Sequence, residues 1–117
     1  MIKIETAMGV VEITQEYFAK LVGHAASECF GVAGMAISSA SQGLREFISG
    51  KEVADKGVHV RASGKRLIID LHIIVAFGVN ISAITQSIVN IVSYVVEEAT
   101  GFEVARVNVF VDGIQKQ

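Results

Sequence analysis

Residues 66 to 96 change their hydrophobic period once, at a glycine, and that change limits the chain to few folds. In RLIIDLHIIVAF, residues 66 to 77, Leu67, Ile69, Leu71, Ile73, Val75 and Phe77 fall on one side of an extended chain. Ile68, Asp70, His72, Ile74 and Ala76 fall on the other. Alternation with one wholly apolar face is the pattern of a strand covered on that face. Gly78 breaks it, and Asn80 or Ser82 offers an N-cap. From there Ile81, Ile84, Ile88, Val92, Val95 and Ala99 recur at helical spacing, with Val89, Ile91 and Val96 widening the stripe. Ser82, Gln86, Ser87, Asn90, Ser93, Glu97 and Glu98 lie on or near the opposite side, so the segment reads as a broad amphipathic helix. Gly101 supplies its C′ residue.

The period change also answers a question about membranes. Residues 71 to 96 hold no carboxylate and a single basic residue, a histidine. A spanning helix needs about 20 consecutive apolar residues in one helix. Here the apolar run divides into a strand, a turn and a helix with a polar side. No direct membrane insertion is expected.

The remaining elements follow the same two periods. A second amphipathic helix is expected over Gln15–Phe30, with Thr14 as N-cap, Glu16 in the first turn and Phe18, Leu21, Val22, Ala25 and Cys29 as its apolar stripe. Lys20, His24 and Ser27 face outward, and Gly31 ends it. Residues 2 to 13 read as short extended pieces interrupted by Gly9, residues 32 to 38 as a strand, and residues 41 to 50 as a short helix. Residues 51 to 57 make a polar connection. Residues 57 to 63 alternate and form a hairpin with 66 to 77 about Gly64-Lys65, a pair suited to a type II′ turn. That register sets Ala62 against Leu67, Val60 against Ile69 and Val58 against Leu71, all on one apolar face. In the last strand, 102 to 114, Glu103, Ala105, Val107, Val109 and Val111 alternate with Phe102, Val104, Arg106, Asn108 and Phe110. The expected fold is a single α+β domain over 1–117: a two-layer sandwich, one mixed, mostly antiparallel sheet with two long helices on one face.

Composition narrows the function classes. The chain is 51% hydrophobic and only 19% charged, against about 25% charged in ordinary soluble domains, so apolar surface is left over for a partner. Net charge is −2 with dispersed Lys and Arg, which gives nucleic acid no electrostatic footing. A single cysteine, Cys29, excludes an internal disulfide and fits a reducing compartment. The N-terminus has Glu5 and Glu12 and no apolar core of a secretory signal.

Few residues suggest chemistry. The hairpin register puts His59 opposite Asp70, with His72 diagonal and Arg61 near, on the face away from the helices. Two His and one Asp are metal-ligand types, so His59, Asp70 and His72 are candidates for a metal or small ligand, but no fourth ligand is visible. Simple alternation also produces such a face, so no metal and no cofactor is expected. Cys29 and His24 are five residues apart on a helix, poorly aligned for nucleophile and base, and Cys29 lies in the apolar stripe. No phosphate-loop glycine pattern is present. No catalytic residue is expected. The outer sheet face instead mixes Ile68, Ile74, Val104 and Phe110 with Arg106 and Asn108, the make-up of an interaction face.

The segments GVVEIT, ECFGVAGM, KGVHV, LIIDLHIIVAFGVNI and TGFEVARVNVFVDGI, in this order from Gly9 to Ile114, resemble the alkaline shock protein family of Gram-positive bacteria. The Phe77-Gly78 turn into the helix and the run from Thr100-Gly101 to Val109 are the most specific pieces. The resemblance implies a small cytoplasmic protein that is not an enzyme, with links to the cell envelope or alkaline stress. It also implies self-association, with membrane contact only through a separate anchored partner. Two readings therefore stand: an interaction or scaffold protein that forms homo-oligomers through its sheet, or a metal- or small-ligand-binding protein using the outer sheet face.

Overall fold

The computed structural model describes residues 2–35 and 57–116. In chain order they form β1 (Ile2–Thr6), β2 (Gly9–Ile13), α1 (Gln15–Ser27), β3 (Val32–Met35), β4 (Val58–Ser63), β5 (Arg66–Ala76), α2 (Ile81–Thr100) and β6 (Glu103–Gln115). This is the expected α+β class. Of the expected strand at 32–38, residues up to Met35 are described, and the expected helix at 41–50 and the connection at 51–56 lie outside the described residues.

β5 is the centre of the main sheet. Along one edge it pairs antiparallel with β4, and the register is the one expected: Val58 opposite Leu71, Val60 opposite Ile69, Ala62 opposite Leu67. Gly64 opens the connecting two-residue turn at φ +65, which costs a glycine nothing. Further along the same edge β3 pairs antiparallel, with Met35 opposite Ile73. Gly57 then meets His72 through a 2.8 Å backbone bond. β3 and β4 thus share one line along β5, and the chain leaves and rejoins that line at neighbouring positions. Along its other edge β5 pairs parallel with β6 from Arg66 to Ala76, joined through α2 as a crossover. The sheet is mixed, as expected. β1 and β2 depart from the single-sheet expectation: they form their own antiparallel hairpin, which sends Ile2 and Ile4 into the core.

The covered face of β5 is the one the alternation named, except at Phe77, which was expected on it but lies past the end of the strand and is exposed. Leu67, Ile69, Leu71, Ile73 and Val75 are fully buried under α1 and α2. α2 begins where Asn80 Oδ1 accepts from the Ala83 N–H at 3.1 Å and stops where Gly101 adopts φ 80 and donates to the Glu97 carbonyl. Its buried row is Ile84, Ile88, Val92 and Val96, a strict i, i+4 line, whereas Ile81 and Ala99 are exposed. The stripe is therefore narrower and rotated from the expected one. α1 begins as expected at Thr14, whose hydroxyl accepts from the Tyr17 N–H, but it ends at Ser27, three residues early. A tight turn follows, in which the Cys29 N–H donates to the Ala26 carbonyl, and Phe30 is left exposed. Ala19 and Ala26 reach the core in place of Leu21, which is only partly covered. Gly31 sits at φ +93, where an L side chain is strained, and a Cβ there would also press on the Ile84 side chain of α2.

β6 corrects one site assignment. The pairing with β5 shifts between Val104 and Arg106 and again between Val111 and Gly113, two bulges that leave Ala105 and Asp112 as extra residues. The first bulge reverses the parity of the strand's start. Val104 lies opposite the buried Leu67 and packs on the core with Phe102, so it does not belong to the outer face on which alternation had put it. Beyond the bulge, Val107, Val109 and Val111 pack inward, and Arg106, Asn108 and Phe110 point outward as expected.

A candidate interaction surface on the sheet

The outer face is organised around Asp70. It sits on β5 between β4 and β6, opposite His59 on one side and Asn108 on the other. Asn108 Nδ2 donates to Asp70 Oδ1 at 2.8 Å, and the Arg61 guanidinium donates to Oδ2 at 3.2 Å. The Asn108 hydrogen bond holds the Asp70 carboxyl below its usual range; partial burial opposes this, and the charges of Arg61 and His59 add to the lowering. Two residues further along β5, His72 Nδ1 lies 2.9 Å from Asp112 Oδ2, and its ring stacks on Phe110 with centroids 4.7 Å apart. Ile68 and Ile74 fill the ends of the β5 row, half-buried. Arg106 lies opposite Ile68 and pairs with no acid among the described residues.

This arrangement does not gather the candidate ligand set. His59 and Asp70 are cross-strand neighbours as expected, but both Asp70 oxygens are engaged and His72 is turned across the sheet toward β6. Among the described residues, no three His, Cys, Asp or Glu side chains converge as a metal would need. Cys29 is buried, donates to the Ala25 carbonyl at 3.6 Å, and burial pushes its thiol up, with a Ser87 hydrogen bond opposing. His24 faces solvent 3.4 Å from Glu28, so the two do not form a nucleophile–base pair.

Asp112 is the functional-type residue that sequence reasoning missed. The signal was present, since Arg106, Asn108, Phe110 and Asp112 continue one alternation. The two sheet edges were not legible at all. On the β4 edge, the Gln15 side chain behaves like a neighbouring strand: its amide donates to the Val60 carbonyl at 2.6 Å and its carbonyl oxygen accepts from the Val60 N–H at 3.3 Å. On the β6 edge no strand pairs among the described residues, and the one bond there comes from Glu97, which accepts from the Val104 N–H at 2.9 Å. The core is also less sealed on that side. The core-facing residues of β5 are fully covered, whereas Val107, Val109 and Val111 of β6 are only half-buried. Between α1 and α2 a groove of about 660 Å³ is floored by Leu21, Ala25, Ile91 and Val95 and rimmed by Lys20, His24 and Glu28. No described helix is long and apolar enough to cross a membrane.

Residues 3–116 match the family model of alkaline shock protein 23, described by a cell envelope-related function. The uncharacterized protein YloU of Bacillus subtilis is 36% identical over 115 residues, spanning 97% of this chain and 95% of that one. An uncharacterized protein of Streptococcus pyogenes is 33% identical over 97% of this chain and 94% of its own length. Among solved structures, the MamM CTD aligns over 86% of this chain and 99% of its own with a TM-score of 0.49 and 16% identity. The order of motifs from Gly9 to Ile114, the α+β fold that they specify and the match across almost the whole chain agree: this chain belongs to the alkaline shock protein 23 family, with its cell envelope-related function.

Proposed function

We propose that the chain is a non-enzymatic interaction module that self-associates through its sheet and serves the cell envelope from the cytoplasm, reaching the membrane through an anchored protein partner. The observation that carries this reading is the β6 edge, with its half-covered row of Val107, Val109 and Val111. A long edge strand with apolar residues beneath it is a template for another chain, and proteins that do not use such an edge normally cover it. On the opposite side of the sheet, Gln15 occupies the N–H and carbonyl of Val60 in β4. The family's envelope link supports the setting of the reading. Asp70 is engaged by Asn108 and Arg61, and His72 by Asp112, which favours a contact surface over a reaction site.

Light scattering on the purified chain during size-exclusion chromatography, across a wide concentration range, tests the reading. We expect a dimer or larger assembly that dissociates on dilution. A strict monomer at the highest concentration would remove self-association from the function.

A further inference from the structure

We infer that the occupant of the β6 edge is the β6 edge of a second copy, running antiparallel, with Arg106 opposite Asp112 of that copy. This rests on the self-association proposed above and goes further by fixing the seam and its register. Three features of β6 lead to it.

The first is the length of regular strand. The two bulges bracket residues 106 to 111, which pair one for one with 68 to 73 of β5, and Asp112, the extra residue of the second bulge, continues their alternation at the end of that edge. The second is the parity of the faces. Two edges that join into one sheet must set core-facing residues against core-facing residues, or the apolar layer is broken at the seam. In an antiparallel pair this leaves only registers in which a residue meets its own equivalent at the centre. The third is charge. Arg106 and Asp112 both belong to the outer face; the other charge on that face of β6, Glu103, lies before the first bulge and already pairs with Arg66 at 3.2 Å. Among the face-matching registers, centring on Val109 alone brings opposite charges together. Arg106 then meets Asp112 of the second copy, and the reciprocal pair forms by symmetry. Val107 meets Val111, Val109 meets itself, and Asn108 meets Phe110.

The consequence is a sheet continuous across both copies, with a two-fold axis perpendicular to it and all four long helices on one side. The half-buried valines of each copy then cover those of the other. Such an isologous contact closes on itself and needs no further surface. Asp112 keeps its bond to His72 through Oδ2, leaving Oδ1 for the guanidinium.

The test uses charge reversal, because symmetry makes the outcome specific. Arg106→Asp puts two like-charge pairs at the seam, and Asp112→Arg does the same with the opposite sign. Each should weaken the dimer by roughly tenfold, the sum expected from two cross-strand pairs lost and two repulsions gained. A one-to-one mixture of the two single variants should restore association, and so should the double variant. Sedimentation velocity reads all four, with circular dichroism confirming that each variant folds. An independent reading comes from Val109→Cys in a Cys29→Ser background. Facing strands bring equivalent residues within disulfide reach, so mild oxidation should give a covalent dimer, whereas Arg61→Cys in the same background should not.

A dimer that the single reversals leave unchanged would overturn the seam while leaving self-association standing. Singles that dissociate without rescue in the mixture would overturn the register, as would a Val109→Cys variant that forms no covalent dimer. A parent chain that never dimerises would overturn both this inference and the reading on which it rests.

Discussion

Asp70 is kept ionised by what its neighbours donate, and Asn108 contributes most. The folded pKa lies below the ordinary value, so the group's stabilising contribution is fully present above the unfolded pKa of about 4 and is lost as pH falls through the folded value. Asn108→Ala should therefore raise the Asp70 pKa toward its ordinary value, read by carboxyl carbon NMR titration. The variant should be less stable than the parent at pH 7, and the gap should narrow below about pH 4. The His59–Asp70 pairing was readable from the chain, because a two-residue turn fixes the register of both strands. That Asp70 is occupied and His72 turned to Asp112 was not readable. The Asn108 bond to Asp70 and the turn of His72 both depend on β6, which reaches β5 only through a 20-residue helix.

At the scale of elements, local signals decided the starts of the helices and tertiary contacts decided their faces. Thr14 and Asn80 cap the helices because their side-chain oxygens reach amides three positions on, a purely local geometry. The stripe of α2 narrowed to Ile84, Ile88, Val92 and Val96 because the sheet below accepts one row, and the flanks go to α1 or to solvent. Bulges escape such reading: nothing in the alternation of 102 to 111 marks Ala105 as an extra residue. Gln15 shows the same limit, since its partner is 45 residues away. Gln15→Ala should leave the Val60 N–H and carbonyl without partners and cost about 1–2 kcal/mol in urea unfolding. Hydrogen exchange at the Val60 amide should speed up in this variant; an unchanged rate would mean that the edge is closed by something else.

For the molecule as a whole, the layout of the sheet sets where a partner can join. β5 has strands on both sides, β4 is bridged at Val60 by Gln15, and β6 is the margin along which the core is least sealed among the described residues. If a second copy fills that margin, association and folding are linked by mass action. The thermal midpoint of the parent should then rise with protein concentration, by scanning calorimetry over a hundredfold range. The Arg106→Asp variant should show a weaker dependence.

The placement of the described helices and strands, the hairpin register, the covered face of β5 from Leu67 to Val75 and the family were legible in the order of residues. Each rests on periodicity, caps and turns acting over a few positions, or on motif order along the chain. Which edge is closed, on which face Val104 lies and which acids meet which bases emerged only from the assembled fold. Those outcomes depend on how strands far apart in the chain come together, and a one-residue bulge is enough to reverse them.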